Sequence, residues 1–347
     1  MRKPHSTEKP LLTVGFFSCR IQLMKTVLVT GGAGFIGSNL IETLLKRKAI
    51  DRVVCVDNLD PFYDPTFKKE NIKPFLKNEK FKFYKTDVRN FSALEKIFEN
   101  EKPTFVVHLA AKANARASVK EPEEYQTVNI IGTLNLLELS RIHQIKKFIF
   151  ISSSSVYGNV AKSPFSEMST TDFPLAPYGA SKKAGEVLAH TYAHNFNLPI
   201  SCLRLFNAYG ERQRPDLVLY KWVENILKGE PIEMSGTGKR ARDFTHVSDI
   251  VRAIELSMKK SASNYEIFNI GNSKPVSLSK LLSHVEKVLG KKAVVVTRPS
   301  HHSSVESTYA DIRKAKKVLG WEPEMPMEEG ITRFAKWLRE NRFKDVK

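Results

Sequence analysis

Short apolar runs alternate with helical periods along the first 206 residues of the chain. Residues 26–30 form a β-rich apolar run that breaks into glycines at 31, 32, 34 and 37. The chain then resumes as an amphipathic helix over 38–48. Further strands are predicted at 52–56, ending in Asp57, and at 81–85, where Phe81, Phe83 and the intervening lysines alternate. The continuous apolar stretches 104–111, 147–151 and 200–206 have the pattern of strands buried on both faces of a parallel sheet. Helical spacing covers 91–100, 125–143 and 177–194, whereas 58–78, with prolines at 61, 65 and 74, reads as a loop with room for one helix. This β–α rhythm implies right-handed crossovers and an α/β fold, a doubly wound parallel sheet of the Rossmann type.

Beyond Asn207 the rhythm loosens. Helices are expected at 220–228, 247–259, 277–290 and 311–319, a strand at 265–270, and a hairpin-like stretch around Gly236-Thr237-Gly238. The division expected is an N-terminal extension (1–23) outside the fold, with Met24 suited to be the functional start. A dinucleotide domain follows over 24–203 with a return segment near 245–273. A smaller α/β substrate lobe is built from 204–244 and 274–340, capping the carboxyl edge of the sheet, where ligands of doubly wound folds bind.

The glycine break carries chemistry. Gly32, Gly34 and Gly37 fit the dinucleotide fingerprint: a tight turn, close backbone approach to a pyrophosphate, and close helix–strand packing. The helix N-terminus that follows offers free N–H groups to phosphate. Asp57 lies twenty residues past Gly37, at the end of the next strand, where a carboxylate takes the ribose hydroxyls. A carboxylate there repels a 2′-phosphate, so the cofactor expected is NAD rather than NADP.

Composition narrows the classes. No apolar run approaches the roughly 18 residues needed to span a bilayer. The cysteines, Cys19, Cys55 and Cys202, are scattered, and the last two sit inside β-like runs as small hydrophobes, which points to a reducing, cytoplasmic setting without a metal site. The chain holds 55 Lys and Arg against 37 Asp and Glu, a net charge of +18. The lysines are dispersed without an arginine-rich block, so a generally basic surface is expected, with no nucleic-acid partner.

Two further patterns suggest a reaction. Ser152-Ser153-Ser154-Ser155-Val156-Tyr157-Gly158 closes the 147–151 strand; alone, it is ordinary turn composition. Tyr178 and Lys182, four residues apart at the start of a helix opened by Pro177, lie on one helical face. A tyrosine ionises near ~10, so service as a base at neutral pH requires lowering that value, the direction in which a nearby ammonium and an oxidised nicotinamide act.

This Ser/Tyr/Lys arrangement resembles the extended short-chain dehydrogenase/reductase superfamily, in particular its NAD-dependent sugar-nucleotide epimerases and dehydratases, over about residues 24–340. The resemblance implies cofactor contacts from Gly31, Gly34, Phe35, Ile36, Gly37, Asp57 and Asn58, with Asp87 and Val88 at the adenine. It adds Leu109, Ala110 and Ala111 beside the cofactor and Asn129 supporting the nicotinamide region. Ser153, Tyr178 and Lys182 are implied as catalytic. Ser153, Ser154, Tyr178, Asn207, Arg214 and Arg242 are implied to bind a UDP-sugar, Asn207 and Arg242 at its diphosphate.

Dehydratases and UDP-glucuronate decarboxylases of this family typically carry an acid just before Val-Tyr-Gly, where this chain has Ser154 and Ser155. The resemblance therefore favours a 4-epimerase: Tyr178 takes the proton of the 4-hydroxyl, the C4 hydride passes to NAD, and the 4-keto sugar turns before hydride returns to its other face. Asp57-Asn58-Leu59, Tyr63-Asp64-Pro65 and Arg214-Pro215-Asp216 resemble the UDP-glucuronate 4-epimerases, in which an arginine at the position of Arg214 binds the C5 carboxylate. Asn207 is instead what UDP-glucose 4-epimerases carry. His301-His302-Ser303-Ser304 departs from the family's usual Gly-Asp pair and is read as a solvated loop. The alternatives are a UDP-glucuronate decarboxylase and, in another class, a non-catalytic NAD-binding sensor on the same fold. A homodimer packed through helices 126–143 and 182–194 is implied by the resemblance alone.

Overall fold

The computed structural model describes residues 25–159, 162–260, 262–299 and 307–343. The readings of 1–23, Met24 and the 301–304 loop lie outside the described residues. Its main sheet is built from β1 (Thr26–Thr30), β2 (Arg52–Asp57), β3 (Phe81–Lys85), β4 (Phe105–His108), β5 (Lys147–Ser153), β6 (Ile200–Leu205) and, after a long excursion, β10 (Tyr265–Ile270). All its pairings are parallel, in the order β10-β6-β5-β4-β1-β2-β3. This is the doubly wound sheet expected.

Period-2 alternation sends the strand side chains to opposite faces. Val27, Val29, Val53, Cys55, Val107, Ile149 and Leu203 join one apolar cluster with α1 (Phe35–Leu45) and α9 (Val247–Lys259). Leu28, Val54, Val56, Val106, Phe148, Phe150 and Cys202 join the other, against α3 (Phe91–Glu101), α6 (Gly132–Ile142) and α7 (Pro177–Phe196). Burial on both faces is why these strands read as unbroken apolar runs.

A separate cluster holds α8 (Val218–Lys228), α10 (Leu278–Leu289) and α12 (Met327–Arg342), together with Ile232 and Met234 of β8 (Ile232–Ser235) and Phe244 of β9 (Ala241–His246). The remaining strands are β7 (Asn207–Tyr209), β11 (Pro275–Ser277), β12 (Val295–Arg298) and β13 (Ser307–Thr308). The remaining helices are α2 (Pro65–Ile72), α4 (Ala115–Lys120), α5 (Pro122–Gln126) and α11 (Arg313–Leu319).

The structure departs from the sequence reading at several places, and the 16-residue helix α12 was not expected at all. The Gly236–Gly238 turn does not close a hairpin: β8 pairs in parallel with β12, and β9 pairs with β7, β11 and β13. The helix expected over 125–143 is interrupted by a π-turn at Thr127–Ile131. The 104–111 strand stops at His108: the Leu109 N–H still makes the last ladder bond, to the Thr30 carbonyl, and the Ala110 N–H turns to the Thr30 hydroxyl instead of a strand carbonyl. The first helix begins at Phe35, three residues earlier than its apolar period suggests, with Gly34 as its N-cap.

Candidate active site

The carboxyl ends of β1, β2, β4, β5 and β6 open into one cleft of roughly 490 Å³, a volume suited to a small-molecule ligand. At its floor, the Gly31 N–H donates to the Val56 carbonyl (2.8 Å) and the Gly34 N–H to the Gly31 carbonyl (3.1 Å). A Cβ on Gly37 would sit 2.4 Å from the Gly31 oxygen, so only glycine lets α1 start this close to the strand. No side chain caps α1 and no acid stands in its first turn. Its leading N–H groups therefore form an electropositive seat for an anion.

Asp57 is buried beside this turn, its two oxygens accepting from the N–H groups of Ala33 (3.1 Å) and Leu59 (2.8 Å). Burial pushes its carboxyl above the ordinary value, opposed by Lys68, whose ammonium stands 3.8 Å away, and by those two N–H groups. Each oxygen keeps a lone pair for a further donor. Gly31, Asp57, Asn58, Asp87, Val88, Ala110 and Ala111 line a smaller adjoining recess. There the Asn58 amide donates to Asp87 (3.1 Å), and Arg89 holds the Asp87 carboxyl down at about 2. A glycine cradle, an anion seat, a buried carboxylate with lone pairs to spare and an adjoining recess fit a dinucleotide.

Across the cleft, α7 carries Tyr178 and Lys182. Pro177 opens the helix, and the Ser118 hydroxyl of α4 accepts from the Tyr178 N–H (3.1 Å). A Cβ on Gly179 would come 2.6 Å from the Ser155 carbonyl, so glycine lets α7 lie against the serine turn. That approach sets the Tyr178 phenol in the same cleft as Ser153 at the end of β5. Lys182 donates from Nζ to the Ile151 carbonyl (2.8 Å) and stands 5.1 Å from the Phe150 ring. Burial lowers the Lys182 ammonium to about 8, opposed by Glu186 one turn on. Burial raises the Tyr178 phenol above its ordinary value, against the pull of Ser153 and Arg214. Within the chain alone, desolvation therefore outweighs the cationic neighbours, and Tyr178 is a neutral phenol.

A buried polar chain supports this wall. The Ser152 hydroxyl donates to Glu186 (2.6 Å), which takes Nε and Nη2 of Arg204 (both 2.8 Å). Arg204 donates to the Tyr157 hydroxyl (3.0 Å), and that hydroxyl donates to Asn269 of β10 (2.6 Å).

Gly31, Gly34, Phe35, Ile36, Gly37, Asp57, Leu109, Ala111, Ser153, Ser154, Tyr178, Lys182, Asn207 and Arg214 all line the main cleft. Two sequence candidates do not line either hollow. Both ends of the Asn129 amide are taken, by the Lys112 backbone and the Ser181 hydroxyl, so it braces the cleft wall from behind. Arg242 lies two residues before the lining Phe244 on the same face of β9, and its Nη1 donates to the Ala241 carbonyl. Lining residues that the sequence reading missed include Lys68, Gln213 and Leu219. Lys68 carried a slight signal: it lies in the first turn of a helix opened by Asp64–Pro65, one turn before Ile72. Among the described residues no group of three or more His, Cys, Asp or Glu side chains converges as a metal site, and no helix is long and apolar enough to cross a membrane.

A parallel doubly wound sheet with a glycine turn, a carboxylate at the end of the second strand and a Ser/Tyr/Lys cleft defines the extended short-chain dehydrogenase/reductase class. Within it, the chain belongs to the family described as GDP-mannose 4,6 dehydratase, whose profile matches residues 28–334. It is 44% identical over 315 residues to a UDP-glucuronate 4-epimerase of Thermodesulfobacterium geofontis, covering 90% of this chain and 96% of that protein. The structure is similar to that of the UDP-glucuronic acid 4-epimerase of Bacillus cereus in complex with UDP-glucuronic acid and NAD, at 36% identity and a TM-score of 0.85, over 91% of this chain and 99% of the other. It is also similar to the UDP-glucose 4-epimerase of Thermotoga maritima with UDP-glucose, at 35% identity and a TM-score of 0.83 over the same shares.

Proposed function

We propose that the chain is an NAD-dependent UDP-sugar 4-epimerase whose substrate is a UDP-hexuronate, interconverting UDP-glucuronate and UDP-galacturonate. The observation that carries this reading is Arg214, a guanidinium on the same cleft wall as Ser153 and Tyr178, where a C5 carboxylate of the sugar would find it. The relatives named above support the reaction class. Ser154 and Ser155, in place of an acid, favour epimerisation over dehydration or decarboxylation.

NAD, when bound, supplies a reversible hydride acceptor for the sugar C4. The chain's own residues do the rest. The free N–H groups at the start of α1 hold the pyrophosphate, and Asp57 takes the ribose hydroxyls. Asn58, Asp87 and Val88 border the adenine, and Leu109, Ala110 and Ala111 flank the cofactor. Asn129 holds that wall in place from behind. Lys182 donates to the nicotinamide-side ribose and keeps positive charge beneath Tyr178. Tyr178 takes the proton of the 4-hydroxyl and later returns it to the same oxygen, while Ser153 orients that oxygen and Ser154 borders it. The positive charge of an oxidised nicotinamide, when bound, would favour the phenolate form of Tyr178. Asn207 and, from further along β9, Arg242 are assigned to the diphosphate. The dinucleotide side comprises 24–203 with 245–273, and the sugar side 204–244 with 274–340.

We also propose a cytoplasmic homodimer. Its setting is supported by the buried free thiols Cys55 and Cys202. Its interface is supported by Ile131, Ile142, Val187 and Phe196, exposed on the outer faces of α7 and of the segment comprising the π-turn and α6.

The test is product analysis by NMR after incubation with a panel of UDP-sugars. UDP-glucuronate giving UDP-galacturonate is expected, without carbon dioxide or a pentose. Release of carbon dioxide would make the enzyme a decarboxylase, and no conversion of any UDP-sugar by NAD-loaded protein would end the epimerase reading. Tyr178→Phe should cut kcat by a factor on the order of 10² to 10⁴ while NAD stays bound.

A further inference from the structure

Arg214 is held in an unusual way for a group that must grip an anion. Its Nε donates to Asp216 Oδ1 (2.8 Å) and its Nη2 to Asp216 Oδ2 (2.7 Å), so the side edge of the guanidinium is taken. Its centre lies 5.2 Å from the Phe62 ring and 5.8 Å from the Tyr63 ring, which flank the group. Nη1 makes no hydrogen bond among the described residues, so the end edge formed by Nη1 and Nη2 keeps donors to spare, and Arg214 lines the cleft that Tyr178 also lines. Asp216 is itself anchored, its Oδ2 accepting from the Asn114 amide (3.3 Å) at the start of α4.

A guanidinium presents two forks to planar anions, one along its side and one at its end. Filling the side fork with a fixed carboxylate fixes the plane and direction of the end fork, and less side-chain freedom is then lost when substrate arrives. The pair is also neutral as a unit, so its recognition rests on geometry more than on net charge. Resting on the uronate reading above, we propose that Asp216 is a positioning residue for substrate selection. It aligns Arg214 by its side edge so that the open end edge receives the C5 carboxylate of a UDP-hexuronate.

The experiment measures binding of UDP-glucuronate and of UDP to the NAD-loaded enzyme by calorimetry, together with steady-state epimerisation, for wild type, Asp216→Asn, Asp216→Glu and Arg214→Met. Asp216→Asn should weaken UDP-glucuronate about tenfold in Kd and KM. UDP binding should be unchanged, and kcat should stay within about twofold. Asp216→Glu, which restores a carboxylate on a longer stem, should recover part of the loss. Unchanged or tighter UDP-glucuronate binding in Asp216→Asn, while Arg214→Met loses it, overturns the positioning role and leaves the uronate reading standing. If Arg214→Met binds UDP-glucuronate as wild type does, the uronate reading itself fails. Should Asp216→Asn fold poorly by its melting curve, Asp216→Ser carries the same comparison, and an equal loss for UDP and UDP-glucuronate there also overturns the proposal.

Discussion

His108 shows how a single side chain ties the sheet to the cleft wall. The Thr133 hydroxyl donates to the Asn129 carbonyl (2.6 Å), so it accepts from His108 Nε2–H (3.0 Å). Nδ1 then accepts from the Thr30 hydroxyl (2.7 Å), which in turn accepts from the Ala110 N–H. The imidazole is buried and neutral, and burial, aided by the Lys182 charge, holds it down at about 3. The unfolded chain protonates this histidine below about 6.5 while the folded chain does not, so its contribution to stability is lost as pH falls from there toward 3, at about 1.4 kcal/mol per pH unit. Urea unfolding between pH 6.5 and 4 should show that slope, and His108→Gln should flatten it; an unchanged slope would place the acid sensitivity elsewhere. At this scale the sequence was legible where a residue's place in the cleft follows from local spacing. Gly37, Asp57, Tyr178 and Lys182 are fixed by a turn, a strand end and one helical period. Asn129 and Arg242 were assigned by resemblance, and spacing says nothing of the Lys112 backbone or the Ala241 carbonyl that occupy them.

Among elements, the first strand–turn–helix is the least tolerant. Gly37→Ala would drive a Cβ into the Gly31 carbonyl and the Gly32 Cα at 2.4 and 2.6 Å, both backbone atoms that cannot swing aside. The expected outcome is a loss of about 2 kcal/mol or more of stability and loss of NAD retention through gel filtration. Retained NAD with a wild-type melting curve would contradict the close approach. The elements of the sheet were readable because each strand satisfies its own burial pattern. The β8–β9 turn misled because glycines mark a reversal without saying which strands pair. β8 and β9 separate after it, each finding a partner more than thirty residues downstream. The π-turn also has no local signature. It lies where Gly132 packs against Val88, a contact that a Cβ would narrow to 2.5 Å. Helix α12 buries Gly330, Ile331, Phe334, Ala335 and Leu338. That period was present in the sequence but was not read as a helix.

At the scale of the molecule, the dimer proposed above has its own check. Sedimentation of the wild type should give twice the chain mass, and Val187→Glu combined with Ile142→Glu should give monomers that still bind NAD. A wild-type monomer would dismiss the interface. The main sheet is interrupted in sequence, because the chain leaves β6 at Leu205, builds part of the second apolar cluster with α8, β8 and β9, and returns to lay β10 along β6 from Tyr265 to Ile270. During synthesis, then, a nascent chain that has emerged only to residue 205 presents β6 as a bare sheet edge, open to pairing with another chain. That edge stays bare until some sixty further residues have left the ribosome, by the register of Ile200 with Tyr265. Premature termination anywhere in that interval would yield a fragment whose sheet ends in an adhesive margin.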